Sequence, residues 1–321
     1  MRLSGGVILD LIGGPTVRCD GAGSADVVVM SHAHVDHVVT GGPVVASELT
    51  VDLVAVRTGA DLERRTHPDI DLVDAGHVPG SRAALVEDRE TGETVLYTGD
   101  CCTRDRFFLD GFDPPPADVL VLEATYGRPA YQLPPTDEVV REIYTWLAAT
   151  TDSVAVFTAY PLGRAQVLIR LLEDADRDRV FVSADVDAVN APIERALDHS
   201  FDTEPLGAEG PPAPGDAVVA SAGALRDGPV VDALAGVETV TAGVSGWAVD
   251  RSFTFRRSVD AGFALSDHCD FDELLDIVEA VDPEVVYTHH GFADTLAAQI
   301  TRRYGLPAWS MKRSQARLDH F

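Results

Sequence analysis

Short apolar runs rich in valine recur through residues 1–127, each closed by glycine, proline or a polar cluster, and they predict strands joined by tight turns. Residues 7–11 and 16–19 flank Gly13-Gly14-Pro15, a hairpin signal, and 26–30 form a short buried strand. Runs at 72–75, 83–87 and 94–97 follow, the last two joined across Glu90-Thr91-Gly92-Glu93, and 119–122 comes after the breaker Pro114-Pro115-Pro116. From residue 136 the pattern changes. A helical period over 136–149 opens on Thr136-Asp137-Glu138, which suits a helix N-terminus. Strand 154–158, helix 163–173, strand 180–183 and helix 186–197 then alternate, implying parallel βαβ units. Residues 199–230, rich in Gly, Pro, Ala and Asp, read as loops around one strand at 217–220. Alternation resumes with strand 263–265, helix 270–281, strand 285–288, helix 292–303 and strand 308–311; Leu274, Leu275, Ile277 and Val278 line one face of the first helix.

A chain of 321 residues, 45% of them hydrophobic, can hold two domains or one domain carrying an insertion. The formal net charge of -27 changes the picture more. Lys312 is the sole lysine, and the acidic residues are spread along the chain rather than gathered in a tail. That is a solvation coat suited to strong screening, and a salt-loving source is expected. Phosphate attraction weakens steeply with salt, so a missing basic face does not exclude a nucleic-acid substrate. No basic N-terminal region leads into an apolar stretch, and no apolar run reaches the about 18 residues of a membrane span. A soluble cytoplasmic protein with no membrane partner is expected. Cys19, Cys101, Cys102 and Cys269 form no CxxC pair and read as buried free thiols.

The chemistry concentrates in "SHAHVDH", residues 31–37, directly after Val27-Val28-Val29-Met30. His32 and His34 lie two apart in extended chain and project to one side, while Asp36 and His37 follow where the chain should turn. This spacing suits two metals, with two imidazoles on the first and a carboxylate and an imidazole on the second. Those donors suit zinc, with manganese or iron as alternatives. Three more strand ends deliver ligand types: His77 in "AGHVPGS", Asp100 in "VLYTGD", and His289 and His290 in "VVYTHHG".

On "HAHVDH", "GHVPGS", "YTGD" and the histidine of "THHG", the chain resembles the metallo-β-lactamase fold superfamily. On "LEATYG" (122–127), "SDHCDF" (266–271) and "PLGRAQVLIRLL" (161–172) it resembles the β-CASP nuclease branch, and the resemblance covers nearly the whole chain. It implies an α/β fold: an αββα metallo-β-lactamase sandwich of residues 1–127 and 263–321, with a Rossmann-like β-CASP domain, 128–262, inserted. It also implies two divalent metal ions, zinc first and manganese second. His32, His34 and His77 would hold one, and Asp36, His37 and His290 the other, with Asp100 as the bridge. His289 has a ligand's residue type, but the family glycine directly follows the ligand, which favours His290. Glu123 would orient His268 over the scissile phosphate, where it protonates or stabilises the leaving oxygen. Gly163, Arg164 and Gln166 at a helix start, with Ser81 of "GHVPGS", would contact phosphate. The pair Arg256-Arg257 reads as a surface pair.

The implied activity is two-metal hydrolysis of phosphodiester bonds in single-stranded RNA, of the mRNA 3′-end processing or exonuclease type. Glu123 and His290 favour RNA-acting members. By contrast, "TAYPLGRAQ", "SDHCDF" and the compact length are similar to bacterial DNA exonucleases associated with ligases and helicases. The expected partners are RNA or DNA single strands, and then a second copy of the chain, a ligase or helicase, or a processing complex. A small-molecule metallo-hydrolase would not need the insertion, and a non-catalytic processing subunit would have lost ligands that are all present.

Overall fold

The structure, a computed structural model, describes residues 2–4 and 7–311 apart from 22, 40, 176 and 209. Residues 312–321, expected to belong to the sandwich, lie outside the described residues. Among the described residues there are three six-stranded sheets. The first runs Arg2–Ser4, Ile8–Asp10, Thr16–Cys19, Val27–Val29, Pro43–Val45, Glu63–Arg65. The second runs Ala308–Ser310, Val285–His289, Val119–Glu123, Glu93–Tyr97, Arg82–Asp88, Ile70–Asp74. The third runs Glu204–Pro205, Val180–Val182, Ala217–Ala220, Val154–Thr158, Thr239–Val244, Ala261–Phe263, and is parallel throughout.

The strand Val119–Glu123 shows how an all-apolar run builds layers, because successive side chains face opposite sides. Val119 and Val121 enter the core between the first two sheets, with Leu9, Val17, Val29 and Tyr97. Leu120 and Leu122 pack beneath the helices Phe271–Val281 and Ala293–Tyr304, against Leu274, Ile277 and Leu296. On the far side, Leu49, Leu53 and Val54 of helix Glu48–Thr58 cover Val44 of the first sheet. The result is helix, sheet, sheet, helix. The apolar core under Glu48–Thr58 continues into Val186 and Val189 of helix Ala184–Leu197, which seats the third sheet's helices against the sandwich.

Several elements were not anticipated, among them the strands Pro43–Val45 and Glu63–Arg65 and the short helices Pro229–Leu234 and Phe253–Arg257; two shape the fold most. Helix Glu48–Thr58 reads "ELTVDLVAVRT", five of its eleven residues β-branched, a composition that favours a strand; Ser47, accepting from the Thr50 amide, and Gly59 at φ 72 close its ends. Strand Thr239–Val244 lies at the heart of the third sheet, paired with Val154–Thr158. The strand expected at 263–265 lies at Ala261–Phe263 and pairs in parallel with Thr239–Val244, so it belongs to the third sheet. Among the described residues no helix is long and apolar enough to cross a membrane. All four cysteines are buried and free.

For function, the decisive feature of the second sheet is its edge. Strands Glu93–Tyr97, Val119–Glu123 and Val285–His289 are parallel, with Tyr97 level with Val121 and Glu123 level with His289. Their C-terminal ends open together, where α/β sheets characteristically bind ligands.

Candidate metal centre

Each strand end delivers a ligand-type side chain to this edge. Asp100 follows Glu93–Tyr97 through Gly99, where a side chain would strike Ser31 Cβ at 2.6 Å. Glu123 ends its strand, and His290 follows Val285–His289 in a left-handed conformation, φ 59. His77 lies on the turn after Ile70–Asp74, and His32, His34 and His37 on the loop after Val27–Val29.

Three of these imidazoles surround one carboxylate oxygen. Asp100 Oδ2 lies 3.6 Å from His32 Nε2, 3.4 Å from His37 Nε2 and 3.8 Å from His77 Nε2. The other nitrogen of each of these rings, and of the neighbouring His34, is engaged from behind. His34 Nε2 meets the Leu162 carbonyl at 3.2 Å, His77 Nδ1 the Asp267 carbonyl at 2.6 Å, and His37 Nδ1 meets Asp20 Oδ2 at 2.8 Å. Those oxygens only accept, so these nitrogens carry the proton. Ser31 Oγ donates to Asp20 Oδ2 at 2.6 Å and therefore accepts from His32 Nδ1 at 2.9 Å.

The inward nitrogens of His32, His34 and His77 are consequently lone pairs. His34 Nδ1 and His77 Nε2 face each other at 3.2 Å with no proton between them. His32 Nε2 is buried without a hydrogen-bond partner. Burial holds His32 and His77 well below the ordinary imidazole range and His34 down to about 4, so none is relieved by protonation at pH 7. Lone pairs turned on one another and on a carboxylate repel unless a cation lies among them. The nitrogen and carboxylate donors fit a divalent transition metal.

His37 behaves differently. Burial alone would lower it, but the carboxylates of Asp100 and Asp20 push it up to about 9, while burial lifts Asp100 to about 6. His37, Asp100 and His290 form a second group with donor atoms within 4.8 Å of one another. His290 thus reaches the centre, its ring 5.2 Å from that of His37, while His289 is buried against Tyr97 at 5.4 Å. Asp36 stands at the rim, 67% exposed, with Oδ2 3.7 Å from His37 Nε2, and joins none of the tight groups.

Beside the centre, Glu123 Oε1 accepts from His268 Nδ1 at 2.8 Å and from the Cys101 amide at 3.2 Å, and Oε2 accepts from the Thr125 amide at 3.0 Å. Burial opposes a charge on His268, yet Glu123 pushes it up to about 10. Asp100, His268 and His290 share one cleft of about 370 Å³ with Arg164.

No family model matches the sequence. The chain is 33% identical over 303 residues to a protein of Opitutus terrae named as a probable DNA ligase, covering 88% of this chain and 28% of that protein. It is 23% identical over 381 residues to the probable RNase MJ4 of Methanocaldococcus jannaschii, covering 88% and 84% respectively. A solved structure of a protein of unknown function from Enterococcus faecalis shares the fold, with a TM-score of 0.59 at 15% identity over 91% of this chain and 81% of that one. This chain therefore spans little more than a quarter of the ligase-named relative, 28%. The chain belongs to the metallo-β-lactamase superfamily, in its β-CASP branch.

This β-CASP protein has supporting residues that the sequence reading missed. Asp20 is a buried hub behind the first loop. Its Oδ2 accepts from Ser31 Oγ at 2.6 Å, His37 Nδ1 at 2.8 Å and Tyr97 OH at 2.7 Å, and its Oδ1 from the Ser31 amide at 2.7 Å. Nothing in the sequence distinguishes it among 52 acidic residues. Asp267 pairs with Arg164 while its carbonyl fixes His77, and Arg164 holds it well below the usual carboxylate range despite burial.

The expected phosphate contacts are mostly not at the cleft of this β-CASP chain. Ser81 is buried, its Oγ accepting from the amides of His77 and Val78, both at 3.2 Å, so it shapes the ligand turn instead. Gln166 is fully buried; its Oε1 takes the Gly163 amide at 2.7 Å, and its Nε2 donates to Pro161 O at 3.0 Å and Asn190 Oδ1 at 2.9 Å. The helix start is thereby capped from within. Gly163 is needed for close approach, since a Cβ there would meet Val78 Cγ1 at 2.3 Å. Of the four residues, Arg164 alone lines the cleft.

Proposed function

We propose that this chain hydrolyses phosphodiester bonds of single-stranded nucleic acid with two divalent metal ions. The observation carrying the reading is the convergence of three imidazoles on Asp100 beside the Glu123–His268 pair. His32, His34 and His77 would hold one cation and Asp36, His37 and His290 the other, with Asp100 shared; zinc suits these donors first, manganese second. Two such cations, when bound, would supply a nucleophile at neutral pH and stabilise charge during in-line displacement at phosphorus. Glu123 keeps His268 charged and aimed, and the imidazolium gives its proton to the leaving oxygen. Residues 1–127 with the C-terminal part form the metal-bearing domain, and the insertion extends from 128 through the strand ending at Phe263.

RNA is the first substrate, supported by likeness to an RNase-named protein over 84% of that protein's length. DNA is the second reading, favoured by the 33% identity to a ligase-named protein. Either substrate fits the cytoplasmic setting expected from the sequence. The test is digestion of end-labelled RNA and DNA single strands of one sequence, at high salt with added zinc or manganese. RNA should be cut faster; a ladder shrinking from one end identifies an exonuclease, and discrete internal products an endonuclease. Hydrolysis of a thioester with neither polymer cut would overturn the proposal.

A further inference from the structure

Four aromatic rings stand beside the Glu123–His268 pair, and neither metal binding nor proton donation uses them. Tyr126 and Tyr131 follow the strand Val119–Glu123, Phe292 follows Val285–His289, and Trp247 lies on the turn Gly246–Val249 beyond Thr239–Val244. Trp247 is 4.6 Å from Tyr126 and 5.0 Å from Tyr131, ring to ring. Tyr131 stacks on Phe292 at 5.3 Å, Tyr126 meets His268 at 6.1 Å, and the Arg128 guanidinium sits 3.8 Å over the Phe292 ring. Packing is tight, since a Cβ on Gly246 would meet Tyr126 Oη at 2.5 Å.

The wall opens on the cleft through Trp247, which lines it together with His268 and His290 and is half-buried. Arg257 lines the same cleft, is exposed, and has no ion-pair partner among the described residues; its neighbour Arg256 is tied to Asp250 at 3.0 Å. An indole and an unpaired guanidinium at one cleft, next to a group that donates a proton to a leaving oxygen, match the two faces of a nucleotide: a flat base and a charged phosphate.

We propose that Trp247 is the stacking platform for an unpaired nucleobase adjoining the scissile phosphate, and that Arg257 contacts a flanking phosphate. This deepens the nuclease reading and rests on it. Trp247 is then a binding residue that demands exposed bases, which a base-paired duplex cannot offer without unstacking.

The test uses metal-free protein in chelator, so that nothing is cut, and fluorescence anisotropy of a labelled single strand, intact or with one abasic site moved along it. One abasic position should cost the wild type about tenfold in affinity. Trp247→Ala should cost about tenfold on the intact strand and nothing further on that abasic strand, while Trp247→Phe keeps most of the affinity. Arg257→Gln should weaken intact and abasic strands alike and reduce the slope of log affinity against log salt by about 0.7. Equal weakening of every strand by Trp247→Ala, or no abasic position that matters to the wild type, would overturn the platform. An unchanged salt slope would overturn the Arg257 contact. A wild type that binds neither strand and cleaves neither with metal added would instead remove the nuclease reading itself.

Discussion

Glu123 Oε1 accepts a hydrogen bond from His268 Nδ1 at 2.8 Å, joining residues 145 positions apart in the chain. The carboxylate also takes the Cys101 and Thr125 amides, so its orientation is fixed from three sides. We expect His268→Ala to lower kcat by about 10²- to 10⁴-fold with metal content near normal. Metal analysis alongside the kinetics checks this; loss of metal would make His268 a ligand rather than a proton donor.

Asp20 touches no inward nitrogen, yet it fixes His37 and, through Ser31, His32. Asp20→Asn can no longer accept from all of its donors. Its affinity for zinc should fall by about 10- to 100-fold while the fold is kept. A competition titration against a chromogenic chelator reads this directly, and wild-type affinity would show that His37 needs no support.

In the metal-free protein His37 sits at about 9 and Asp100 at about 6, so between those values Asp100 is charged and His37 still holds a proton that a cation must displace. Affinity for the second cation should therefore rise with pH across that window, about tenfold per unit for one displaced proton, and level off above it. A flat profile from chelator competition at several pH values would sink the assignment of His37.

Gly291 follows His290 at φ 39, and a Cβ there would lie 2.2 Å from the Ala124 carbonyl oxygen. Gly291→Ala must push the His290 turn off the strand end that carries Glu123. Loss of about 1–3 kcal/mol of stability is expected, together with weaker binding of one cation and not the other. Thermal unfolding with metal titration checks both; binding of two cations unchanged would show that His290 is not held by this turn.

The candidate metal centre was legible because its ligand types are concentrated in short runs at strand ends: three imidazoles and an acid in "HAHVDH", with one further ligand type in each of "GHVPGS" and "YTGD". His290 was favoured over His289 by the glycine that follows it, and the geometry agrees: His289 lies against Tyr97, while His290 reaches the cleft through a left-handed turn. Asp20 was illegible because a lone acid in an acid-rich chain carries no pattern. The motif around Gly163 and Gln166 misled in a physical way. A glutamine three residues into a helix serves an internal cap as well as it serves an anion, and burial decided for the cap. Helix Glu48–Thr58 was hidden by its β-branched residues, which favour a strand, and only its caps and its packing on Val44 settle it.

In the proposed reaction Asp100 would hold the cations that cutting a phosphodiester bond requires. The most direct measurement is cleavage of an end-labelled single strand by the zinc- or manganese-loaded protein, compared with Asp100→Ala checked for fold by circular dichroism. The wild type should cleave, and the folded variant should show no cleavage above background. Wild-type turnover in Asp100→Ala would show that Asp100 holds no catalytic cation.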